Sequence, residues 1–423
     1  MNKTQILEKM QRGEKLRVLF LNDVGFQYGA GIAHLRQIQS FLLMGHDVQG
    51  LCYVNGPVEG SIPLVPAGAS GTWLGMRQLT HVHVDNGYDE ARIAEAIREE
   101  IKAFQPDVIL VGNLHGAKWP LTLFLALRQM NAFVVAYLHD FYLLSGRCAY
   151  TAGCTSYLTG CDEHCPTPNE YPILAPELIA DAWHLRRRIF CGPDGIPLAT
   201  NSQFTLNVTR HALKDLSYAR VVYLGIDAHL FRPIDRAVAR GLLGLPLDRF
   251  IILSGSVNVS DLRKGTHYIQ DVLTAFADDV ELLVFGHESL GLAQVHATGL
   301  LRDFRKMPLL YSAADLLIGT ALEETFGQTF LEAAACGIPS VAFRTGGVPE
   351  VARHDVSARL VDGFNIDQML TEIEFFIRNP HQREAFGRAG RAMVEAEFTL
   401  HRQGERWMTY LKGLPCFQNA PLE

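Results

Sequence analysis

At 423 residues the chain is too long for one ordinary domain, and at roughly 100–200 residues per domain two or three are expected. An apolar fraction of 48% with 20% charged residues is globular composition and excludes global disorder. The net charge of −7, from 45 acidic against 38 basic residues, argues against a nucleic-acid coat, which would carry a basic balance.

The first ten residues, Met1 to Met10, are polar and mixed in charge, without the apolar core of a signal peptide. Leu16–Asn22 (LRVLFLN) is a predicted strand, and Ala33–Met44 has helical period. Val48–Val54 follows as a second strand. The stretch from Gly56 to Asn86 is rich in Gly, Pro and Ser and weakly patterned, and is expected to be an irregular surface insertion. Glu90–Phe104 reads as a charged helix and Asp107–Val111 as a strand. Leu121 to Leu138 is the longest apolar stretch, but Arg128, Gln129 and Asn131 interrupt it. A membrane span needs roughly 20 mainly apolar residues, so this stretch fits a buried helix followed by the strand Phe133–Leu138. A cytoplasmic location is expected, in which the Asn207-Val208-Thr209 sequon carries no meaning.

After about residue 245 the rhythm restarts. Phe250–Ser254, Glu281–Phe285, Asp315–Gly319 and Ser340–Phe343 are predicted strands, with helices at 265–276, near 307–313 and at 328–336. Tyr223 to Pro233 has the Gly, Asp and Pro of a linker. Residues from about 365 to 413 are predicted helical. Near-continuous apolar strands alternating with helices imply an α/β chain with two doubly wound, parallel-sheet units. Ligands of such sheets sit beyond the C-terminal strand ends, so two facing units would share a cleft.

Four segments lie at those strand ends. In Glu324-Thr-Phe326-Gly327-Gln328, followed by Glu332 and closed by Gly337 and Pro339, the first N–H groups of a helix suit a phosphate. A carboxylate inside that apolar helix needs a donor, so Glu332 either accepts sugar hydroxyls or is solvated, and Glu324 either does the same or caps the helix. Asp261 to Gly265 carries Arg263 and Lys264, which either neutralise a diphosphate or are solvated loop charges. Tyr28 to Ala33 contains a Gly-x-Gly ending at Gly31, expected as a loop opening a helix. The third glycine of the dinucleotide fingerprint is missing, and so is an acidic residue after the second strand, which counts against NAD. His139 ends the strand Phe133–Leu138 and would face the cleft or serve the core.

Together these segments resemble the retaining nucleotide-sugar glycosyltransferases of family 4. The resemblance rests on the Gly-rich loop, the strand-end His, the Lys-Gly pair, and Glu324-x7-Glu332 with Phe326-Gly327 and Glu332-Ala-Ala-Ala-Cys-Gly-Ile-Pro339. Gly45 to Val48, Asn201 to Phe204, Gly225 to Asp227 with Phe231-x-Pro233, Tyr311 to Asp315 and Gly346 to Glu350 agree with it. It spans about residues 16 to 400. The stretch His139 to Tyr150 is similar to a subgroup that builds bacterial exopolysaccharides of the colanic-acid type.

The resemblance implies the GT-B fold: an acceptor-side domain at 1–224, a donor domain at 225–395, and a terminal segment at 396–423 crossing back to the first domain. It implies a donor that is a UDP- or GDP-linked sugar, a glycan or lipid-linked acceptor, no nucleic acid, and no cofactor for catalysis. His139, Glu324 and Lys264 are its implied catalytic residues. Gly31, Ser256, Arg263, Phe326, Gly327, Gln328 and Glu332 complete the implied donor site. Where the family has an Arg after the glycine ending the first strand of the second domain, this chain has Ser256, and Arg263 is expected to supply that charge. No metal-binding Asp-x-Asp occurs at the expected donor site. A nucleotide-sugar epimerase, a glycan phosphorylase and a non-catalytic nucleotide-sugar-binding protein are the competing readings.

Two features stand apart. Of eight cysteines, Cys148, Cys154, Cys161 and Cys165 fall within one loop, 146–166. Four thiols so close suit a structural zinc site, with an iron–sulfur cluster, a disulfide or four unlinked thiols as alternatives and His164 as a substitute ligand. Arg186, Arg187 and Arg188 end an amphipathic run and are expected on a solvated helix face or, at most, in peripheral contact with anionic lipid.

Overall fold

The computed structural model describes residues 3–54, 65–79, 90–169, 171–255, 262–277, 279–286, 295–299, 301 and 303–415. They form two compact units, one ending at Gly225 and resuming at Leu400, the other spanning Ile226–Thr399.

The first unit is built on seven strands: β1 (Arg17–Leu21), β2 (Asp47–Cys52), β3 (Thr72–Gln78), β4 (Val108–Val111), β5 (Phe133–Leu138), β6 (Leu198–Thr200) and β7 (Ala219–Val221). Their order is β3-β2-β1-β4-β5-β6-β7 and every pairing is parallel. The second unit holds β8 (Phe250–Gly255), β9 (Val280–Phe285), β10 (Val295–Ala297), β11 (Leu316–Gly319), β12 (Ser340–Phe343) and β13 (Ala358–Val361), also all parallel, ordered β10-β9-β8-β11-β12-β13. Central strands such as VILV in β4 and FVVAYL in β5 are buried at every residue. That follows from helices covering both sheet faces. In each sheet the strand order reverses once, between β1 and β4 and between β8 and β11. These are the switch points where such folds bind ligands.

Several local expectations are corrected. Residues 72–78, expected within an irregular insertion, form edge strand β3; residues 56–64 and 80–86 of that stretch lie outside the description. The helix expected at Ala33 begins at Tyr28, so Gly31 lies inside its first turns and not in a preceding loop. Residues 226–233, expected as a linker, are packed into the second unit: Phe231 is buried against Phe304 and Tyr311, and Arg391 donates to its carbonyl. The arginine run is only partly a solvated face. Arg186 is buried, donating to Tyr142 O at 2.6 Å with its guanidinium over the Tyr142 ring. Arg187 stacks on Trp183 and donates to Ala212 O, which leaves Arg188 exposed. At about 100° per residue, three consecutive side chains cannot all share one solvated helix face.

The terminal helix, Leu400–Lys412, belongs to the first unit and packs on the helix Tyr28–Leu43. Trp407 is fully buried there, its ring 5.7 Å from both Phe41 and Tyr137. The second unit is anchored by Asp315. This buried carboxylate accepts from Arg240 at 2.6 Å, Arg236 at 2.7 Å and the N–H of Ile251 at 2.9 Å. Among the described residues no helix is long and apolar enough to cross a membrane.

Candidate active site

The switch point of the second unit holds an ion pair. Past β8 the chain makes a short 3₁₀ turn, Leu262–Lys264, and past β11 it runs through Thr320 to Glu324. The two segments are stitched together by backbone: Leu322 N–H donates to Arg263 O at 2.8 Å, and Thr320 Oγ1 to Lys264 O at 2.8 Å. This brings Lys264 Nζ within 2.9 Å of Glu324 Oε2, both side chains remaining partly accessible. Burial works against ionisation of Glu324, but Lys264, Arg263 and the Phe326 N–H outweigh it and hold the carboxyl below the usual range. The loop carrying Glu324 is clamped from the other side. Gly346 has φ +52°, and a Cβ there would lie 1.7 Å from Glu324 O, so only glycine fits. Gly347 N–H donates to the same carbonyl at 3.0 Å.

Directly after Glu324 the chain enters the helix Gln328–Ala335. Gly327 is its N-cap in the left-handed region (φ +96°), with no side-chain cap. Phe330 and Leu331 are the first N–H groups to return to Gly327 O. The earlier N–H groups of the turn have no carbonyl of their own helix to reach, so a helix dipole and oriented donors stand beside the ion pair. Phe326 is buried beneath them. Glu332 is neither a solvated charge nor unpaired: it is buried and accepts from Tyr311 Oη at 2.6 Å. Of the sequence-predicted donor residues, the fold therefore gathers Arg263, Lys264, Glu324, Phe326, Gly327, Gln328 and Glu332 around one strand-end region, and Ser256 lies outside the described residues.

The switch point of the first unit is built differently. Gly31 packs against the chain itself; a Cβ there would lie 2.1 Å from Gly25 O, so its absence fixes the loop that follows β1. In that loop Asp23 accepts from Val24 N–H at 2.7 Å and from Gly116 N–H at 2.6 Å. Asn22 Oδ1 accepts from Asn113 N–H at 2.7 Å. Asn113 in turn donates to Asp140, which also accepts from Tyr142 N–H at 2.9 Å and lies 3.6 Å from His115 Nε2. Burial raises the Asp140 carboxyl above its usual range despite His115. His139 is buried at the end of β5, and burial, with His115 nearby, lowers it to about 3. It is a neutral hydrogen-bonding group at physiological pH and not a cation. Sequence reasoning missed Asn22, Asp23, Asn113, His115 and Asp140. His115 carries the same signal that singled out His139, a histidine just past an apolar strand.

The four loop cysteines are reduced, with Cys148 buried and the others half-buried. They line one cavity, described below.

Residues 246–393 match the family model described as "Glycosyl transferases group 1". Two curated relatives are D-inositol 3-phosphate glycosyltransferases. That of Segniliparus rotundus is 31% identical over 206 residues, 44% of this chain and 44% of its own. That of Mycobacterium avium is 32% identical over 176 residues, 38% of this chain and 41% of its own. The chain thus spans less than half the length of these relatives. Among solved structures, sucrose-phosphate synthase from Thermosynechococcus elongatus superposes with a TM-score of 0.72 at 16% identity, covering 95% of this chain and 99% of that one. Anabaena HepE in complex with UDP-glucose gives 0.69 at 18% identity, covering 94% and 100%. The fold is GT-B. In GT-B terms the group 1 match lies wholly within the second unit, which holds the Lys264–Glu324 pair.

Proposed function

We propose that the chain is a retaining glycosyltransferase that moves a hexose from a UDP- or GDP-linked sugar to a glycan, lipid-linked or small-molecule acceptor in polysaccharide biosynthesis. The observation that carries this reading is the Lys264–Glu324 ion pair at the second switch point, placed just ahead of a helix N-terminus whose N-cap is Gly327. Cation and helix N–H groups are what a departing nucleoside diphosphate needs, since negative charge grows on its phosphate oxygen as the bond to the sugar breaks. Glu324, held ionised, accepts donor-sugar hydroxyls, and Glu332 accepts ribose hydroxyls beside Tyr311. Arg263, drawn in by the same turn, adds charge where Ser256 has none. In the transfer step the bond from C1 to the diphosphate oxygen breaks, the acceptor oxygen bonds C1 on the same face, and the acceptor proton passes to the departing phosphate. Acceptor recognition falls to the first unit, where the polar network positions the strand-end region and neutral His139 is a donor or acceptor of hydrogen bonds. The match of residues 246–393 to group 1 glycosyltransferases and the UDP-glucose bound by the Anabaena neighbour support the donor class.

The test is a panel of UDP- and GDP-sugars with calorimetry of UDP and GDP alongside turnover. Binding with transfer to an acceptor is expected. Binding without turnover on any acceptor would favour a non-catalytic binding protein, and epimerised donor without acceptor would favour an epimerase. Arg263→Ala is expected to weaken donor binding, and unchanged donor affinity would remove Arg263 from the site. Adding Mg²⁺ or Mn²⁺ is expected to leave the rate unchanged; stimulation would count against leaving-group stabilisation by Lys264 and the helix.

A further inference from the structure

From His139 to Ala175 the described chain forms no strand and no helix beyond the 3₁₀ turn Ser156–Leu158. So long a stretch without regular structure is uncommon inside a compact unit, and ordering it costs roughly 1–2 kcal/mol per residue in backbone entropy. Something beyond local hydrogen bonds must hold it. Its apolar side is anchored by Phe141, Leu143 and Leu144 in the core. Its outer part converges on one small cavity of about 30 Å³, and Cys148, Cys154, Cys161 and Cys165 all line it.

We propose that these four cysteines bind one zinc ion as a structural site. The cavity has about the volume of a single small ion or water, and among its lining donors the four thiols form a set that selects Zn²⁺ over oxygen-loving cations. No three of the sulfurs yet lie within 4.8 Å of one another, whereas a tetrahedral site with Zn–S of 2.3 Å places sulfurs about 3.8 Å apart. Binding therefore requires the thiols to move closer together. Four thiols lose four protons, and the resulting site carries two negative charges.

The surroundings suit that charge. Gly146 N–H donates to Cys161 Sγ at 3.3 Å. Arg147, beside Cys148, is buried and tethered to Pro172 O at 3.0 Å and Thr167 Oγ1 at 2.9 Å. Arg186 is buried and anchored on Tyr142, near enough for charge on Cys161 and Cys148 to favour its cationic form. Two buried cations behind a cluster of neutral thiols are costly to keep; behind a dianionic metal site they are compensated. Asp162, Glu163 and His164 also approach one another closely, but all three are exposed, as acidic surface groups commonly are without a metal.

The experiment is elemental analysis of the purified full chain after zinc loading and desalting. About one zinc per chain is expected, with release on modification of about four thiols. Cys154→Ser together with Cys165→Ser is expected to lower zinc at least tenfold. Cys191→Ser, outside the loop, and Asp162→Asn with His164→Ala are expected to retain it. Because the double variant could unfold, Co²⁺ substitution in the unaltered chain is the second readout, with sulfur-to-metal charge transfer and the strong visible bands of tetrahedral thiolate expected. Less than about a tenth of an equivalent of zinc, zinc retained in the double cysteine variant, zinc lost with His164→Ala and Asp162→Asn, or iron with acid-labile sulfide in its place would each overturn the assignment.

Discussion

Apart from a seventh strand at the edge of the first, the two units share one strand order, yet they furnish their switch points in opposite ways. The second presents a partly accessible ion pair, Lys264–Glu324, beside a helix N-terminus. The first presents a largely buried polar network, in which Asn22 accepts from Asn113, Asn113 donates to Asp140 and Asp23 accepts from the backbone of Val24 and Gly116, beside His115 and a neutral His139. Accessible charge can exchange its partner for a ligand's phosphate or hydroxyl at little cost. A buried network cannot, so it serves to position and shape. The same architecture thereby separates stabilising charge from holding geometry.

The largest test of the contrast is structural. Trp407 lies far along the sequence but in the core of the first unit. Trp407→Ala should cost about 3–5 kcal/mol and should speed amide exchange in β1, β4, β5 and the helix Tyr28–Leu43. Exchange within Ile226–Thr399 should barely change. Equal loss in both units would show that they do not behave as separate cooperative bodies.

Next is the ion pair itself. Glu324→Ala or Lys264→Ala should reduce donor turnover by about 10²–10³ while leaving the thermal stability of the second unit nearly unchanged, since a partly exposed pair contributes little to folding. A large fall in melting temperature with turnover intact would make the pair structural.

Acid should separate the units further. Burial lowers His34 to about 3, His46 to about 4 and His139 to about 3, and all three belong to the first unit. Each is neutral when folded but takes a proton when unfolded near pH 6.5. Their stabilisation is complete above that pH and is lost as pH falls toward 4 and then 3, by at most about 1.4 kcal/mol per unit for each. Asp140 has the opposite sign, its raised carboxyl gaining stability as it protonates, and offsets part of the loss. Glu324, with a lowered carboxyl, contributes stability that is lost only below the ordinary range of about 4.5. Exchange protection measured from pH 7 to 5 should fall in the first unit and hold in the second; uniform loss would contradict the histidine account.

How much of this was legible from sequence follows from the physics of each element. Buried parallel strands announce themselves as runs such as VILV, and two doubly wound parallel units followed from their rhythm, whereas GT-B came from the family resemblance. β3 did not, because TWLGMRQ is a half-exposed edge strand with a central glycine, and the three-residue β6, β7 and β10 are too short for any period to show. In the donor region the spacing of Glu324 and Glu332 on one loop-helix segment was readable, but that Tyr311 satisfies Glu332 was not. That contact joins two helices distant in sequence. The Asn22–Asp23–Asn113–Asp140 network was invisible for the same reason, since each member alone reads as a loop polar residue. Arg186 was misread because charge runs are usually solvated, and only packing shows which member turns inward.

The smallest effect tests motifs that are scaffold. Ser202, in the Asn201 to Phe204 segment, caps the helix Gln203–Ala212 by accepting from Thr205 N–H at 3.0 Å, and it is fully buried. Asp235 caps the helix Arg236–Leu243 in the second unit by accepting from Val238 N–H at the same distance, but at the surface. Removing either side chain forfeits one helix-terminal hydrogen bond, typically about 1 kcal/mol. In the first unit the Thr205 N–H is left buried without water to replace the serine, whereas water can reach Val238. Ser202→Ala should therefore cost about 1–2 kcal/mol and Asp235→Ala about 0.5–1 kcal/mol, with donor affinity unchanged in both. If the surface cap proved the costlier, burial would not be what distinguishes the two units, and the contrast between a fixed first switch point and an exchangeable second one would lose its physical basis.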